Sequence, residues 1–340
     1  MPDPERLKRL LNPKNIIKLG CIFFLLGVII FLLYTDEDDY RLALGGKESY
    51  GTEVDISQGM AELNGESYRY NDHLSNFLFL GIDRREFADT VRGNADGGQS
   101  DAIYLVSMDR TSGEAAMVSI PRDSMVYCTE YAVGGDESLT LWDHLCVQYA
   151  YGDGRHESCN LSKMAVSKLL YGLPIQGYCA IVMDAMPVLA DAVGGVMVQV
   201  PNDSLSFRDD EFQAGSYVVI TGENAEFYLR TRDTEDDDTA IDRMNRQRDF
   251  LKAWLSKARL KYREDPSILT KLLEDIKPYM VTNISNDQFA KLIEESASGN
   301  PPREWVIPGE DVTTEEYDEF HVDRDALYER LVQTVCIKTE

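Results

Sequence analysis

Basic residues are scarce in this chain of 340 residues, where 34 lysines and arginines stand against 59 aspartates and glutamates. The formal net charge of −25 repels phosphate backbones, so we expect no nucleic acid among the partners. Proline is also scarce, at 12 residues, while 44% of the residues are hydrophobic. This composition excludes an intrinsically disordered chain and predicts a folded globular protein.

Histidine and cysteine are too few and too scattered to suggest a metal-binding cluster. The four histidines lie far apart and no CxxC pair occurs, which argues against a zinc site. Outside an apolar run that contains Cys21, the cysteines are Cys128, Cys146, Cys159, Cys179 and Cys336. An odd number provides no disulfide framework. One disulfide among Cys128, Cys146 and Cys159 and plain buried thiols are both compatible with this spacing.

A single long apolar run occupies residues 19–34 and just reaches the ~17 to 25 residues that span a bilayer. Basic residues before the run and acidic residues at 36–39 predict a cytoplasmic N-terminus and an extracellular remainder. A cleaved signal peptide is the alternative, but the run is long and no small-x-small cleavage pattern follows it. We therefore expect a single-pass protein of the cell membrane. Its predicted parts are a cytoplasmic tail (1–18), a transmembrane helix (19–34), an extracellular stalk or linker with at most one peripheral strand (35–75) and a globular body (76–340).

Strand and helix patterns alternate in the body and predict an α/β protein. Apolar segments at 76–83, 102–109 and 115–121 are typical of central strands, and a short turn joins the last two into a hairpin. Asn160 is a candidate N-cap for a helix through Leu170. Further predicted elements are strands at 178–183, 196–200 and 305–307, a loop at 127–147, and helices at 185–193, 242–260, 267–276, 286–295 and 323–335. This order favours a three-layer α/β/α arrangement around a central mixed sheet.

Ionisable residues follow several of the predicted strands, where open α/β sheets usually bind ligands. Asp83, Asp101 and Arg122 stand at such ends, and we expect the arginines of 228–232 to stand at another. Each segment alone is more often a solvated turn. Together they bring two carboxylates and at least five arginines to one sheet edge of an acidic chain, as an anionic ligand would require.

Eight ordered segments carry a resemblance to a known family. They are Asn76-Phe-Leu-Phe-Leu-Gly-Ile-Asp83, Ser100-Asp101, Val118-Ser-Ile-Pro-Arg-Asp123, Gln148-Tyr-Ala-Tyr-Gly152, Leu173-Pro-Ile175, Asp191-Ala-Val-Gly-Gly-Val196, Tyr228-Leu-Arg-Thr-Arg232 and Arg243-Met-Asn-Arg-Gln247. In this order, behind one apolar N-terminal run, they resemble the LytR-CpsA-Psr proteins, membrane-anchored enzymes of mainly Gram-positive cell envelopes. The resemblance covers nearly the whole body, which we expect to be a LytR-CpsA-Psr-like catalytic domain.

The resemblance implies a phosphotransferase. Such an enzyme moves an anionic glycopolymer, of teichoic acid or capsular polysaccharide type, from a polyprenyl-pyrophosphate carrier to the 6-hydroxyl of N-acetylmuramic acid in peptidoglycan, and forms a phosphodiester. The implied partners are the lipid-linked glycopolymer, peptidoglycan and membrane lipid. The implied cofactor is Mg²⁺, with Mn²⁺ as an alternative. The carrier needs an apolar groove, for which segments around Leu169 and Ile181 are candidates.

The family motifs also assign roles to residues of this chain. Asp83 and Asp101 match the magnesium ligands. The residues that match pyrophosphate contacts, or could add to them, are Arg84, Arg85, Arg122, Arg230, Arg232, Arg243, Arg246 and Gln247. Their chemistry agrees with these roles, because guanidinium groups bind phosphate oxygens in pairs and Mg²⁺ binds carboxylates together with phosphates.

The general base departs from the family pattern. Where the family commonly has an aspartate, three residues before Arg243, this chain has Ala240. With Arg122 as a catalytic residue, the candidates for the base are Asp238 and Asp242, and a metal-activated hydroxyl needs no side-chain base. The missing aspartate also keeps a second function open, that of a non-catalytic envelope protein that binds lipid-linked precursors and regulates wall assembly.

Overall fold

The structure is a computed structural model. It describes residues 55–58, 60–136, 138–206, 209–231, 267–285, 303–314 and 318–339, together with 246, 249–250, 253–254, 257, 260–261 and 264–265. The strands in chain order are β1 (Met60–Leu63), β2 (Glu66–Tyr70), β3 (Leu74–Ile82), β4 (Ser100–Asp109), β5 (Ala115–Ile120), β6 (Met125–Tyr131), β7 (Ser138–His144), β8 (Gly177–Val182), β9 (Val196–Gln199), β10 (Tyr217–Ile220), β11 (Met280–Thr282), β12 (Arg303–Val306), β13 (Gly309–Thr313), β14 (Asp318–Val322) and β15 (Cys336–Lys338). The α-helices are α1 (His156–Leu169), α2 (Ala185–Ala192), α3 (Ala225–Arg230), α4 (Ile268–Ile276) and α5 (Arg324–Val335), and short 3-10 helices span Leu145–Tyr149, Asp210–Phe212 and Lys277–Tyr279.

The central sheet has six strands in the order β11-β8-β3-β4-β5-β12. β8 and β12 pair in parallel with β3 and β5, whereas β4 and β11 run antiparallel to their neighbours. This confirms the predicted mixed sheet and the β4–β5 hairpin. As a result, β3, β5 and β8 end at the same edge at which β4 begins.

Both faces of the sheet are buried, because consecutive residues of the central strands are apolar and their side chains point to opposite faces. Phe77 and Phe79 of β3 pack in the core that contains α2, α3 and α4. Leu78 and Leu80 pack in the opposite core, with α1 and α5. Helices therefore cover the sheet on both sides. The candidate groove segments lie on opposite faces, since Leu169 belongs to the second core and Ile181 to the first, so that they line no single groove.

Helix α1 begins five residues earlier than predicted, since its N-cap is Arg155 and not Asn160. The Asp153 carboxylate, rather than Asn160, accepts hydrogen bonds from the backbone N–H groups of Glu157 and Ser158 at 2.9 and 3.2 Å. These groups are the donors that a helix N-terminus leaves without partners inside the helix. An Asp three residues before the helix is a less direct signal than an Asn inside it, and the sequence prediction was wrong here.

Three further expectations differ from the structure. The stretch 127–147 is mostly the β6–β7 hairpin and not a loop, and Arg230 ends a helix and not a strand. Residues 60–70 form two strands, and β2 pairs with the C-terminal β15. The domain boundaries themselves stay predictions.

The five described cysteines are free, so the disulfide alternative was wrong. Burial raises the pKa of the Cys128, Cys146, Cys159 and Cys179 thiols, which are neutral at physiological pH. Within the part of the chain that the structure describes, no helix combines the length and apolarity of a membrane span. The apolar run at 19–34, most of the helix predicted at 242–260 and the helix predicted at 286–295 lie outside the described residues.

Candidate active site

The candidate site lies at the edge where β3, β5 and β8 end and β4 begins. Asp83 directly follows β3, Asp101 is the second residue of β4, and Arg122 stands two residues beyond β5. The β4–β5 register pairs Ile103 with Ile120, which brings Asp101 and Arg122 next to each other at the open end of the hairpin.

A β-bulge presents Asp101. In the β3–β4 ladder Gly81 pairs with Ala102 and Ile82 pairs with Ser100, so that Asp101 is the extra residue between two paired ones. Bulges re-aim side chains at sheet edges and beside active sites. The bulge therefore gives Asp101 an orientation that regular alternation of side chains along β4 would not give it.

Arg122 is buried and holds this corner of the site together. Its Nη1 donates to Oδ1 of Asp101 at 2.6 Å, its Nη2 to Oε1 of Gln99 at 2.9 Å and its Nε to Oδ1 of Asp123 at 3.1 Å. The side chains of Arg122 and Asp101 are only 7% and 4% exposed. Charge-assisted bonds in such a dry environment fix the direction of the guanidinium plane.

Asp83 joins the same network through Gln99. The backbone N–H of Gln99 donates to Oδ1 of Asp83 at 2.7 Å, and the backbone N–H of Asp83 donates to the Gln99 carbonyl. Gly98 makes this approach possible, because a Cβ there would lie 3.0 Å from the Asp83 carboxylate and its φ of +92° suits glycine. Asp83, Gln99, Arg122 and Asp101 thus form one continuous hydrogen-bonded chain, which we call the acid–arginine network.

A second cluster surrounds Glu226 on α3. Its Oε1 accepts hydrogen bonds from Arg85 and, at 2.9 Å, from Nη1 of Arg230 one helical turn later. Nη1 of Arg85 also lies 3.9 Å from Asp184, which follows β8. The cluster adjoins the first one, because Arg85 stands two residues after Asp83 and the Arg84 carbonyl accepts a hydrogen bond from Met183. The side chain of Arg84 itself is exposed.

Arg246 has a different environment from the other predicted arginines. It is 1% exposed, and its guanidinium donates to the Tyr228 carbonyl at 3.1 Å, to Oγ of Ser204 at 2.7 Å and to the Thr231 carbonyl. These contacts hold the C-terminal end of α3, where carbonyl groups lack helical partners. Burial raises the pKa of the neighbouring Tyr228 to about 12, so this phenol is neutral.

The structure brings Asp83, Asp101 and Arg122 together and places Arg85 and Arg230 in the adjoining cluster. Five predicted residues lie outside the described residues: Arg232, Asp238, Asp242, Arg243 and Gln247. Sequence reasoning did not assign Gln99, Asp184 or Glu226. A signal existed for Glu226, because an acidic residue four positions before Arg230 on a helix is placed to pair with it.

The donor set fits a hard divalent cation. Mg²⁺ prefers oxygen ligands and is usually held by one or two carboxylates together with phosphate oxygens and waters. Asp83 and Asp101 offer carboxylates within one network. Among the described residues, no group of three or more histidine, cysteine, aspartate or glutamate side chains forms a self-sufficient metal cage. Phosphate oxygens would have to complete the coordination.

Comparison with known proteins decides the family. The model of the LytR_cpsA_psr family matches residues 39–333, which is most of the chain. The chain belongs to this family. The match includes all the described residues of the acid–arginine network and of the Glu226 cluster.

Curated relatives and solved structures agree with this membership. The chain is 28% identical over 283 residues to a Bacillus cereus protein named polyisoprenyl-teichoic acid–peptidoglycan teichoic acid transferase TagU, covering 79% of this chain and 80% of the relative. It is 28% identical over 249 residues to biofilm regulatory protein A of Streptococcus mutans, covering 69% and 57%. A structure described as TagT bound to LI-WTA superposes with a TM-score of 0.53 at 21% identity, covering 87% of this chain and 99% of the other. Bacillus subtilis TagV gives a TM-score of 0.52 at 22% identity, covering 78% and 98%, and both show a shared fold.

Proposed function

We propose that this protein transfers an anionic glycopolymer, of teichoic acid or capsular polysaccharide type, from a polyprenyl-pyrophosphate carrier to peptidoglycan. The observation that carries the proposal is the acid–arginine network, in which two carboxylates and a buried guanidinium meet at the ends of strands. Curated relatives from two Bacillus species that are named teichoic acid transferases support the same reaction.

The reaction exchanges one phosphorus–oxygen bond for another. A hydroxyl oxygen of the acceptor glycan attacks the phosphorus atom that carries the glycopolymer, and the bond from that phosphorus to the bridging oxygen breaks. Polyprenyl monophosphate leaves with the bonding electrons, and the hydroxyl proton passes to a base or to solvent. The product is a phosphodiester between glycopolymer and peptidoglycan.

The protein has to hold the phosphates and balance their charge, since phosphoryl transfer asks little covalent chemistry of an enzyme. Arg85 and Arg230 are placed to bind phosphate oxygens once these displace Glu226. Arg122 is fixed by Asp101 and Gln99, so its charge needs little reorganisation during the reaction. Arg246 has no such access, and we assign it to positioning α3.

Asp83 and Asp101 would hold Mg²⁺ in this proposal. When bound, the cation would neutralise pyrophosphate charge and favour ionisation of the attacking hydroxyl. A requirement for Mg²⁺, or for Mn²⁺ in its place, belongs to the proposal. So do a membrane anchor at 19–34, which would keep the site close to a lipid carrier, and a base at Asp238 or Asp242.

The proposal is tested with the full-length protein in detergent, a short-chain polyprenyl-pyrophosphate saccharide and a soluble peptidoglycan oligomer. We expect a phosphodiester product by mass spectrometry, and its loss in excess EDTA. Asp83→Asn should lower turnover on the order of a hundredfold, the scale of a principal electrostatic stabiliser. Arg110→Lys is the matched control, because Arg110 binds backbone carbonyls of Asp72 and His73 at the opposite end of β4. If the wild type bound the lipid-linked substrate tightly but transferred nothing to any acceptor, the protein would be a non-catalytic binder and not an enzyme.

A further inference from the structure

The outer face of the β6–β7 hairpin carries aromatic rings and hydroxyl groups. The register pairs Tyr127 with Trp142, Thr129 with Thr140 and Tyr131 with Ser138. Side chains alternate along a strand, so these six residues share one face, while Val126, Cys128 and Leu141 point into the core. We call this set of six residues the outer face.

The aromatic residues of the outer face differ in how much of each is accessible. Tyr131 packs against the core and the hydroxyl of Tyr127 is buried. The side chains of Tyr127 and Trp142 are nevertheless partly exposed, and Thr140 and Ser138 are exposed. The other two tryptophans are buried, with Trp254 at 0% and Trp305 at 9% exposure. The rings of Tyr127 and Trp142 stack edge to face with centroids 4.8 Å apart, which gives them a fixed arrangement.

The chemistry of the outer face suits an uncharged saccharide. Aromatic rings pack against the C–H groups of a sugar, and serine and threonine hydroxyls both donate to and accept from sugar hydroxyls. None of the six residues carries a formal charge, although the whole chain has a net charge of −25. An anionic polymer would meet the repulsive field of the protein here, because Arg92, the arginine beside Tyr131, is already paired with Glu157 and Asp136.

The hairpin connects to the candidate site at both ends. β6 begins three residues after Arg122, and its base is tied to the site through the backbone N–H of Cys146, which donates to the Arg122 carbonyl at 3.0 Å. At the tip, the guanidinium of Arg92 lies 4.6 Å from the centroid of Tyr131. Arg92 belongs to the segment that leads back to Gln99. The outer face thus extends away from the acid–arginine network on a fixed support.

We propose that the outer face binds the glycan strand of the acceptor. The role in transfer rests on the proposed function, but the binding itself does not. From Tyr127 to Tyr131 the strand advances about 13 Å at roughly 3.3 Å per residue, a length that accommodates several sugar rings. A track of this length without charged residues fits the glycan strand of the acceptor better than the anionic polymer of the donor.

Intrinsic tryptophan fluorescence tests the binding directly. The probe is a hexamer of β-1,4-linked N-acetylglucosamine, which carries neither phosphate nor lipid. We expect it to shift or quench the emission of wild-type protein, because Trp142 is the accessible tryptophan. By calorimetry, Trp142→Ala and Tyr127→Ala should weaken hexamer binding tenfold or more. Thr140→Glu should weaken it as well, and because Thr140 is exposed this substitution should leave folding unaffected.

Tyr217→Ala is the matched control, since Tyr217 is an aromatic residue, 69% exposed, on the separate β9–β10 hairpin. The affinity of the Tyr217→Ala variant for the hexamer should equal that of the wild type. Absence of hexamer binding to the wild type, or unchanged affinity in Thr140→Glu and folded Trp142→Ala, would overturn the proposal. Outer-face variants that bind the lipid-linked donor more weakly but bind the hexamer normally would also overturn it. A hexamer that binds as expected to a protein without transferase activity would refute the proposed function and leave this site standing.

Discussion

Asp101 and Arg122 form a buried ion pair across the open end of the β4–β5 hairpin, with Nη1 of the arginine 2.6 Å from Oδ1 of the aspartate. Neither charge has much contact with water, since the side chains of Arg122 and Asp101 are 7% and 4% exposed. Removing one partner leaves the other charge buried and poorly compensated.

We therefore expect Asp101→Ala to lower the free energy of unfolding by about 3 kcal/mol, measured by urea denaturation. Asp101→Asn retains an acceptor for Arg122 and should cost about half as much, while both variants lose activity. The matched control is Asp123→Ala, whose carboxylate is more exposed and contacts Arg122 at 3.1 Å. Equal stability of Asp101→Ala and the wild type would show that the pair contributes nothing to the fold.

Glu226 occupies the guanidinium groups of Arg85 and Arg230, which we assign to phosphate binding. The ligand has to compete with this carboxylate. Glu226→Gln should therefore tighten the binding of a short-chain polyprenyl pyrophosphate about fivefold, equivalent to about 1 kcal/mol, in calorimetric titrations. Glu157→Gln is the control, because Glu157 has a similar exposure and pairs with Arg92 away from these two arginines. Weaker binding in Glu226→Gln would show that the glutamate orients the arginines instead of competing for them.

Arg246 is predicted to act on stability and not on the ligand directly. Lysine cannot reproduce its three contacts, to Tyr228, Thr231 and Ser204. Arg246→Lys should lower the free energy of unfolding by about 2 kcal/mol, measured by urea denaturation. A loss of pyrophosphate affinity at unchanged stability would instead restore the role that the sequence suggests.

Gly98 is predicted to be required for the geometry of Asp83. Alanine at this position would place a methyl group 3.0 Å from the carboxylate and from the side chain of Arg84. Gly98→Ala should lower both stability, by about 1 to 2 kcal/mol, and turnover. Gly134→Ala separates the two causes, because Gly134 also has a positive φ, of +63°, but has open space around it. We expect Gly134→Ala to affect stability alone.

The buried thiols are predicted to stay reduced and unreactive in the native protein. Iodoacetamide, followed by peptide mass spectrometry, should leave Cys128, Cys146, Cys159 and Cys179 unmodified until urea is added. Burial raises their pKa values, and the reactive species is the thiolate. Cys336 is partly exposed, with a pKa raised to about 11, and should react first but slowly. Rapid labelling of Cys146 would contradict its complete burial next to the Arg122 backbone.

Much of the sheet was predictable because its signals are local. Apolar runs on both faces identify β3, β4 and β5, and a polar turn between β4 and β5 identifies their hairpin. The β6–β7 hairpin was missed because its outer face mixes aromatic and hydroxyl residues, so no simple apolar alternation marks it. The start of α1 was missed because its capping carboxylate lies outside the helix.

For the candidate site, the motifs identified residues but not their partners. Asp101 and Arg122 are 21 positions apart, and only the register of two strands brings them together. The burial of Arg246 depends on Tyr228, Thr231 and Ser204, none of which lies in its own motif. Contacts of this kind depend on tertiary packing, which one sequence without its fold does not reveal.

At the Asp101 bulge, regular pairing of β3 with β4 and the position of the carboxylate in the candidate site exclude each other. The bulge interrupts the ladder between β3 and β4, and we expect deletion of this single residue to restore regular pairing. A bulge leaves its extra residue without a partner in the ladder, and the surrounding structure has to hold that residue in place. Laboratory selection for thermal stability alone would consequently favour variants that straighten the strand. Such variants would gain a better sheet and lose the carboxylate on which the proposed chemistry depends.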